Sequence, residues 1–251
     1  MQIVNKETLD TIKGRVAHLN LCFGNTRCSD IQKLKKQINL VIEEAEETIS
    51  AFVKGDWVEV VDGIGDFYTV YYGVHAVSTT CKPAGPKVPY EFLSEQRAAC
   101  GVERGVERLK YFLEETDVGL AEETSWVSCA ETILEELAHA FNSFVELFAQ
   151  RFEKFDLLDV YNEIHDSNMS KFVGHEDVNK SVEKYLEAGH PPGSIGHVMV
   201  QGNVFKIVVL QSHDLNGKHF PTGKFLKGVN FRSPRIKVLF RDPKLIMTLG
   251  S

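Results

Sequence analysis

Three carboxylates and a hydroxyl line one side of an otherwise apolar segment. In WVEVVDGIGDFYTVYY (57–72), the only charged side chains are Glu59, Asp62 and Asp66, and the hydroxyl of Thr69 follows one turn later. Steps of three, four and three residues place all four on one face of an α-helix. A solvated surface helix would show a broad polar arc instead. Because carboxylates in apolar surroundings need partners, and divalent cations are suitable ones, this spacing predicts a metal site.

A second acidic cluster lies in the segment that precedes this helix. Apolar residues recur at helical spacing over residues 30–54, and Glu44 and Glu47 border that apolar stripe. Two antiparallel helices would bring Glu44 and Glu47 opposite Asp62 and Asp66. Four carboxylates from two helices suit a hard cation such as Mg²⁺. The alternative is that EEAEE (43–47) is only a solvated run of charges.

The composition is that of an ordinary soluble globular protein. The chain has 251 residues, a net charge of -7 and 43% hydrophobic residues. It has no long basic run, so we expect no nucleic-acid partner. It also has no apolar stretch long enough to span a bilayer and no signal-peptide pattern, so we expect no membrane partner and a cytoplasmic protein. Five cysteines without a CxxC pair indicate reduced thiols and argue against a structural zinc site.

Hydrophobic periodicity predicts a mainly α fold. A proline- and glycine-containing connection interrupts the helical pattern at 81–89. Around Gln201–Gly202–Asn203, the pattern of 197–210 predicts two strands that form a β-hairpin. We therefore expect a helical core and a small C-terminal α+β appendage containing this hairpin. Helices are predicted at 6–20, 30–54, 56–78, 90–115, 131–155, 156–165 and 178–188, with a polar segment at 166–171.

The order of four motifs resembles a known enzyme family. EEAEE, DGIGDFYTVYYG, HDSNMSK and TGKFLKGVNFRSP occur in this order, and HLNLCFGN (18–25) is similar to the family's opening helix. The chain thereby resembles the phage-type branch of the MazG-like all-α nucleoside triphosphate pyrophosphohydrolases, over roughly 15–78 and 141–236. The resemblance implies Mg²⁺-dependent hydrolysis of a nucleoside triphosphate to the monophosphate and pyrophosphate. Mn²⁺ would substitute for Mg²⁺.

The resemblance also implies a domain organisation. Residues 1–175 would form the MazG-like helical bundle that carries the pyrophosphohydrolase core. About 79–140 would be a helical insertion in that core, because the motifs do not extend over this stretch. Residues 176–251 would form the α+β appendage that completes the nucleotide site.

The family's acidic motifs can be carried over residue by residue. Glu44 and Glu47 match its ExxE ligands, and Asp66 matches the aspartate of its ExxD motif. Gly63 occupies the position of the glutamate in that second motif, and Asp62 would supply the missing oxygen ligand. The implied metal ligands are thus Glu44, Glu47, Asp62 and Asp66. The catalytic base would be Glu44 or Glu47, whichever is not fully engaged with metal.

Two further motifs imply substrate-binding residues. Ser167–Lys171 matches the family's SNMSK element, in which Asn168 would contact a sugar hydroxyl, a base edge or a metal-bound water, and Lys171 would contact phosphate. Lys224 and Lys227 belong to a GKxxK segment and are implied phosphate contacts. From the residues alone, a polar helix-capping turn is the favoured interpretation of the first motif, and lysines in such a glycine-containing loop are usually just solvated.

Two other functions remain open from the residues. ExxH pairs at Glu136–His139 and Glu187–His190 are typical of di-iron carboxylate proteins, although prolines follow His190 immediately. A non-catalytic protein that binds and sequesters a nucleotide is the other alternative, and Gly63 at a ligand position motivates it. The chain has neither a GxxxxGK[ST] phosphate loop nor a GxSxG nucleophile motif, which argues against a kinase or a serine hydrolase.

The partners and substrate follow from the resemblance only in outline. Similar enzymes are obligate oligomers, so we expect a homodimer or a higher homo-oligomer formed by helix packing. A similar phage group, MazZ, removes dGTP and dATP, which makes these the favoured substrates and phage nucleotide-pool control the favoured role. A phage-encoded protein would act in the host cytoplasm. The choices dUTP, dCTP and a signalling nucleotide remain open.

Overall fold

The chain is mainly helical, with short antiparallel strands near its C-terminal end, which confirms the predicted fold class. The computed structural model describes residues 3–25, 27–81, 94–115, 123–152 and 155–236. The helices are α1 (Lys6–Phe23), α2 (Ile31–Lys54), α3 (Trp57–Val77), α4 (Glu95–Glu115), α5 (Glu123–Ala149), α6 (Leu157–Met169) and α7 (Val178–Glu187). The strands are β1 (Val173–Gly174), β2 (Ile195–Gln201), β3 (Val204–Val209), β4 (His213–Leu215), β5 (Lys218–Phe220) and β6 (Phe225–Leu226).

The chain divides into two compact units. The first contains the described residues within Met1–Ala17, Thr26–Ile164 and Arg235–Ser251, and the second contains those within His18–Asn25 and His165–Pro234. The functional division at 175/176 and the insertion at 79–140 stay predictions. Across the described ranges, no helix is both long enough and apolar enough to cross a membrane.

Local signals at both ends define α2 and the start of α3. The carboxylate of Asp30 caps α2 by accepting hydrogen bonds from the backbone N–H groups of Gln32 and Lys33. Gly55 ends α2, and Asp56 caps α3 through the N–H of Glu59. The predicted apolar stripe of α2 is buried, at Leu34, Ile38, Val41, Ala45, Ile49 and Phe52.

Helices α2 and α3 are antiparallel and unusually close together. A Cβ atom at Gly63 would lie 2.4 Å from Oγ1 and 3.2 Å from Cα of Thr48. Ten residues further along α3, a Cβ atom at Gly73 would lie 2.5 Å from Nε2 of Gln37. Gln37 uses this nitrogen to donate to the carbonyl oxygen of Val70 at 2.8 Å. The two helix backbones therefore approach each other where α3 has no side chain.

Aromatic side chains fill the core of the first unit between α3 and α5. The rings of Phe67 and Phe141 stack with centroids 3.6 Å apart, and Tyr68 donates to Oδ1 of Asn142 at 2.7 Å. Helix α5 begins at Glu123 rather than at the predicted residue 131, and α4 and α5 contribute to the same core as α2 and α3. Residues 82–93 of the predicted connection and of the predicted fourth helix lie outside the described residues.

Strand β3 is the centre of the sheet in the second unit. It pairs with β2 along one edge and with β1 and β6 along the other, all antiparallel. Ile195 pairs with Val209, Met199 pairs with Phe205, and a β-bulge follows between Met199 and Gln201. The predicted hairpin at 197–210 is therefore confirmed. The sheet and the start of α7 share one apolar core, which consists of Val173, Val178, Ile195, Phe205, Ile207, Val209 and Leu226.

A second hairpin, β4–β5, was not predicted. Its turn is Asn216–Gly217, and both residues have positive φ angles of 51° and 75°. Asn-Gly is the preferred dipeptide for such a two-residue hairpin turn, so the sequence did contain a signal for it. Helix α6 also extends further than predicted, because the N–H of Ser170 bonds to the carbonyl oxygen of Asp166 at 2.9 Å.

Candidate functional site

The carboxylates of α2 and α3 face each other because of the close contact at Gly63. Glu44 lies one turn before Thr48 on α2, and Asp66 lies three residues after Gly63 on α3. Because the helices are antiparallel and Thr48 touches Gly63, Glu44 and Asp66 come to the same level of the helix pair. The hydroxyl of Thr48 donates to the carbonyl oxygen of Glu44 at 2.7 Å and so does not occupy the carboxylate.

Glu44 lies in an electrostatically unfavourable position for a charged carboxylate. Its pKa is raised from 4.5 to about 8, chiefly by burial and further by the neighbouring charges of Asp66, Glu47, Asp62 and, last, Glu43. Burial disfavours the ionised form, and each nearby like charge adds repulsion. Glu44, Asp62 and Asp66 are half-buried, whereas Glu47 is exposed. The four sequence-derived ligands therefore form one electrostatic cluster centred on Glu44.

This cluster suits a divalent cation in charge and in ligand type. Hard cations prefer carboxylate oxygens, and a positive charge would relieve the repulsion on Glu44. In the described ranges, however, no three His, Cys, Asp or Glu side chains lie close enough together to hold a metal ion as they stand. The backbones of α2 and α3 thus bring the four carboxylates to one helix interface. Binding of a cation would require these side chains to change rotamer and move closer together.

Gly63 is a close-packing residue of the α2–α3 interface, and its assignment to the family's glutamate position stays a prediction. It faces Thr48 of α2 so closely that a Cβ atom would lie 2.4 Å from Oγ1 of Thr48 and force that residue to shift. Any side chain at this position, glutamate included, would therefore require Thr48 to shift. Asp62, the adjacent residue, is half-buried and contributes to the repulsion on Glu44.

Two residues that the sequence did not indicate lie beside the cluster. Tyr161 of α6 is fully buried, and burial raises its pKa to about 12. A hydrogen bond with Thr69 and the charge of Arg15 lower this pKa, whereas the charge of Asp66 raises it. Arg15 is a half-buried residue of α1. Neither residue belongs to a motif, so only the tertiary structure shows that Arg15, Tyr161 and Asp66 act on one another.

The SNMSK element lies at the end of α6, in the second unit, and is joined to the C-terminal segment. Ser167 donates to the carbonyl oxygen of Arg232 at 2.9 Å, and the N–H of Arg232 donates to Oγ of Ser170 at 3.0 Å. Asn168 is buried and accepts a hydrogen bond from the ammonium group of Lys171. The structure therefore brings two motifs together that are more than 50 residues apart in sequence.

The two lysines of the GKxxK segment lie against aromatic rings. Nζ of Lys224 is 5.0 Å from the ring centroid of Phe220, and Nζ of Lys227 is 4.0 Å from that of Phe231. The carbonyl oxygen of Lys227 accepts a hydrogen bond from Tyr185 at 2.8 Å. Lys227 is exposed and Lys224 is half-buried, so each side chain reaches the surface of the second unit.

The residues of the di-iron alternative have other partners. Glu136 is exposed and forms an ion pair with Arg108, whereas His139 is buried. His190 contacts His213, and Glu187 is exposed. Within the described part of the chain, neither ExxH pair belongs to a group of three or more His, Cys, Asp or Glu side chains that could hold a metal ion.

No protein-family model, curated protein or solved structure matches this chain. The functional conclusion accordingly depends on the carboxylate cluster and on the motifs themselves. Chemically, the cluster offers the carboxylate oxygens that a hard cation prefers, and its central carboxylate can accept or release a proton near neutral pH. These are the two properties that metal-assisted hydrolysis of a phosphate anhydride requires.

Proposed function

We propose that this protein is a Mg²⁺-dependent nucleoside triphosphate pyrophosphohydrolase. The observation that carries the proposal is Glu44, a half-buried carboxylate whose pKa is raised to about 8 by burial and by the carboxylates around it. Carboxylates with strongly raised pKa values occur preferentially at functional sites, and binding of a cation would relieve the repulsion on Glu44. The order of the four sequence motifs supports the same enzyme class.

Each of the four carboxylates has a defined role in this proposal. Glu44, Glu47, Asp62 and Asp66 hold Mg²⁺, or Mn²⁺ in its place. When bound, the cation neutralises triphosphate charge and lowers the pKa of a coordinated water. Glu44 or Glu47 accepts the proton of the attacking water. The new bond forms at the α-phosphorus, the bond to the oxygen bridging the α- and β-phosphates breaks, and pyrophosphate leaves.

The SNMSK and GKxxK motifs supply the proposed phosphate and nucleoside contacts. Lys171, Lys224 and Lys227 bind the phosphates and offset negative charge on the departing pyrophosphate. Asn168 binds the sugar or the base through its amide. The favoured substrates are dGTP and dATP, in a phage-type role that controls nucleotide pools.

The proposal is tested by turnover of the common dNTPs and NTPs with Mg²⁺ and with Mn²⁺. Chromatography should detect a nucleoside monophosphate and pyrophosphate. A nucleoside diphosphate with orthophosphate would contradict the proposed cleavage site. Tight nucleotide binding without any turnover would favour the sequestering protein instead.

Ligand variants test the site. Glu44→Gln, Glu47→Gln and Asp66→Asn should each reduce kcat/KM by at least about a hundredfold, because each removes a charged oxygen ligand. Glu46→Gln is the matched control, since Glu46 is an exposed residue of the same helix that forms an ion pair with Lys110. Wild-type turnover in any one of the three ligand variants would remove that residue from the site.

A further inference from the structure

Two histidines from distant parts of the second unit are in direct contact. His190 follows the end of α7, and His213 begins β4. Nδ1 of His190 lies 2.7 Å from Nε2 of His213, and Nδ1 of His213 lies 2.8 Å from the carbonyl oxygen of Gln211. Because a carbonyl oxygen only accepts, His213 carries a proton on Nδ1. While His213 is neutral, its Nε2 therefore accepts the hydrogen bond that His190 donates.

An aromatic enclosure surrounds this pair. The ring of Phe220 stacks on His213, with centroids 5.5 Å apart and planes at 9°, and meets the ring of His190 edge-on at 4.7 Å. Tyr185 of α7 packs edge-on against His190 at 5.4 Å. His190 is only 6% exposed, so its imidazole has little access to water.

Phe220 connects the histidine pair to one of the proposed phosphate-binding lysines. Nζ of Lys224 lies 5.0 Å from the centroid of Phe220, and Nζ of Lys218 lies 5.9 Å from it. The N–H of Gly223 donates to the carbonyl oxygen of Val209 at 2.7 Å and fixes the start of the Lys224 segment. A positive charge on His213 would therefore lie against the ring of Phe220, which the ammonium groups of Lys224 and Lys218 already contact.

The neighbouring charged groups do not convert this pair into a metal site. Asp214 pairs with His219 across the β4–β5 hairpin, and their side chains form a hydrogen bond of 2.7 Å. Alternate residues of a strand point to opposite faces, so Asp214 lies on the other face from His213. Within the described residues, no third His, Cys, Asp or Glu completes a ligand set around the pair.

We propose that His190 and His213 form a proton-sensitive latch that holds the β4–β5 hairpin and positions Lys224. The neutral pair has one hydrogen in the N···N contact, and a singly protonated pair still has one. A second proton places hydrogens on both facing nitrogens and two positive charges at contact distance, so the contact must open. The Phe220 ring then loses its stacking partner, and Lys224 loses the ring that orients it.

The latch opens on acidification. Burial, followed by the neighbouring His213, holds the pKa of His190 below its ordinary value of 6.5. A depressed histidine pKa contributes stability above 6.5 that is lost as the pH falls through the lower folded-state value. The hairpin contact is thus intact at neutral pH and is lost on acidification. The effect on substrate binding through Lys224 rests on the proposed function, whereas the latch does not.

Hydrogen exchange of the full-length chain tests the latch without any substrate. After correction for intrinsic exchange rates, protection of His213–Leu215 and Lys218–Phe220 should fall by roughly tenfold or more between pH 7.5 and pH 5. The variant His213→Gln keeps a hydrogen-bond acceptor for His190, but the glutamine cannot take up a proton. Protection of the β4–β5 amides in this variant should therefore not depend on pH. His219→Gln is the matched control on the opposite face and should behave like the wild type. Protection that is independent of pH in the wild type would overturn the latch.

An NMR titration of the wild-type histidine rings keeps the proposal testable if His213→Gln does not fold. The resonances of His190 and His213 should shift together, in two coupled steps, because each proton affects both rings. Independent single-step titrations of the two rings would overturn the latch.

The connection to substrate binding has its own readout. KM for the nucleoside triphosphate should rise by roughly tenfold from pH 7.5 to pH 5.5 in the wild type, and by less in His213→Gln. If the hairpin opens while KM remains constant, the latch stands and the role of Lys224 is overturned. If the protein shows no turnover at all, the proposed function fails, and the exchange experiment still decides the latch.

Discussion

At the scale of single residues, Glu44 determines the electrostatic character of the candidate site. Its carboxylate is half-buried, and the charges of Asp66, Glu47 and Asp62 act on it from both helices. Without a cation, the folded protein lowers this repulsion by keeping Glu44 protonated. The ionisation of Glu44 therefore reports directly on whether the cluster is neutralised.

Stability of the cation-free protein should depend on pH through Glu44. The pKa of Glu44 is about 8 in the folded chain, compared with the ordinary glutamate value of 4.5 that applies to the unfolded chain. Between these two pH values, the folded state binds a proton that the unfolded state has released. The resulting stabilisation is complete below pH 4.5 and is lost as the pH rises through 8. Thermal unfolding in EDTA should show the melting temperature of Glu44→Gln increasing relative to wild type from pH 5 to pH 8. Parallel curves for the two proteins would contradict this prediction, and Glu46→Gln serves as the control.

Gly63 should not tolerate any side chain. The Cβ atom of Gly63→Ala would meet Oγ1 of Thr48 at 2.4 Å and its Cα at 3.2 Å, so overpacking should destabilise the fold by about 1–3 kcal/mol. Gly14→Ala is the matched control, because Gly14 is exposed on α1 and no atom lies within 4 Å of its Cβ position. That control should be neutral or up to about 1 kcal/mol more stable. Urea denaturation measures both effects.

A second substitution separates packing from a ligand role at Gly63. Thr48→Ala in the Gly63→Ala background removes the closest contact and should recover part of the lost stability. Equal stability of Gly63→Ala and Gly14→Ala would show that the helices are not in close contact here. In that case, a glutamate at this position would again be a reasonable replacement ligand.

At the scale of elements, α3 is held between α2 and α5 by contacts of different kinds. It meets α2 through glycines and meets α5 through aromatic rings. One hydrogen bond crosses the aromatic side, from Tyr68 to Asn142, and both residues are 1% exposed. Since α3 contributes Asp62 and Asp66, these two interfaces determine where the candidate ligands lie.

The Tyr68–Asn142 hydrogen bond should contribute measurably to the α3–α5 interface. Asn142→Ala leaves the buried hydroxyl of Tyr68 without its acceptor and should cost about 1–3 kcal/mol, in addition to the lost packing. Tyr68→Phe in that background removes the unsatisfied hydroxyl and should recover part of the loss. A double-mutant cycle measured by urea denaturation gives the coupling energy. Strictly additive effects would contradict a direct interaction.

At the scale of the whole molecule, binding of Mg²⁺ should be linked to the release of a proton. Near pH 7 the carboxyl group of Glu44 is mostly protonated, because its pKa is about 8, and a cation must displace that proton. Calorimetric titrations in two buffers with different ionisation enthalpies should give a proton release that declines above pH 8 and is absent in Glu44→Gln. Mg²⁺ binding without proton release in the wild type would exclude Glu44 as a ligand.

The oligomeric state is a separate whole-molecule prediction. The resemblance implies a homodimer or a higher homo-oligomer, and light scattering of the purified chain at several concentrations measures this directly. A monomer at all concentrations would contradict it. The activity and hydrogen-exchange experiments should be carried out at a protein concentration at which the oligomeric state has been measured.

The sequence by itself determined the helical architecture and the acidic faces. The three-four-three spacing of Glu59, Asp62, Asp66 and Thr69 fixes their common face, because helical geometry depends only on spacing along the chain. The hairpin around Gly202 followed from alternation and turn composition in the same way. Helix ends were less accurate, as at α5 and α6, because tertiary contacts extend a helix beyond its local signals.

Only the tertiary structure decided which of these residues act on one another. The raised pKa of Glu44, the contact of Gly63 with Thr48 and the His190–His213 pair all join residues from different elements. Nothing in the spacing of either partner encodes such a contact, because it depends on how closely two backbones approach and on what fills the space between them. Packing, which is a property of the whole fold, therefore decides which side chains share an environment, whereas periodicity decides only which way each one points.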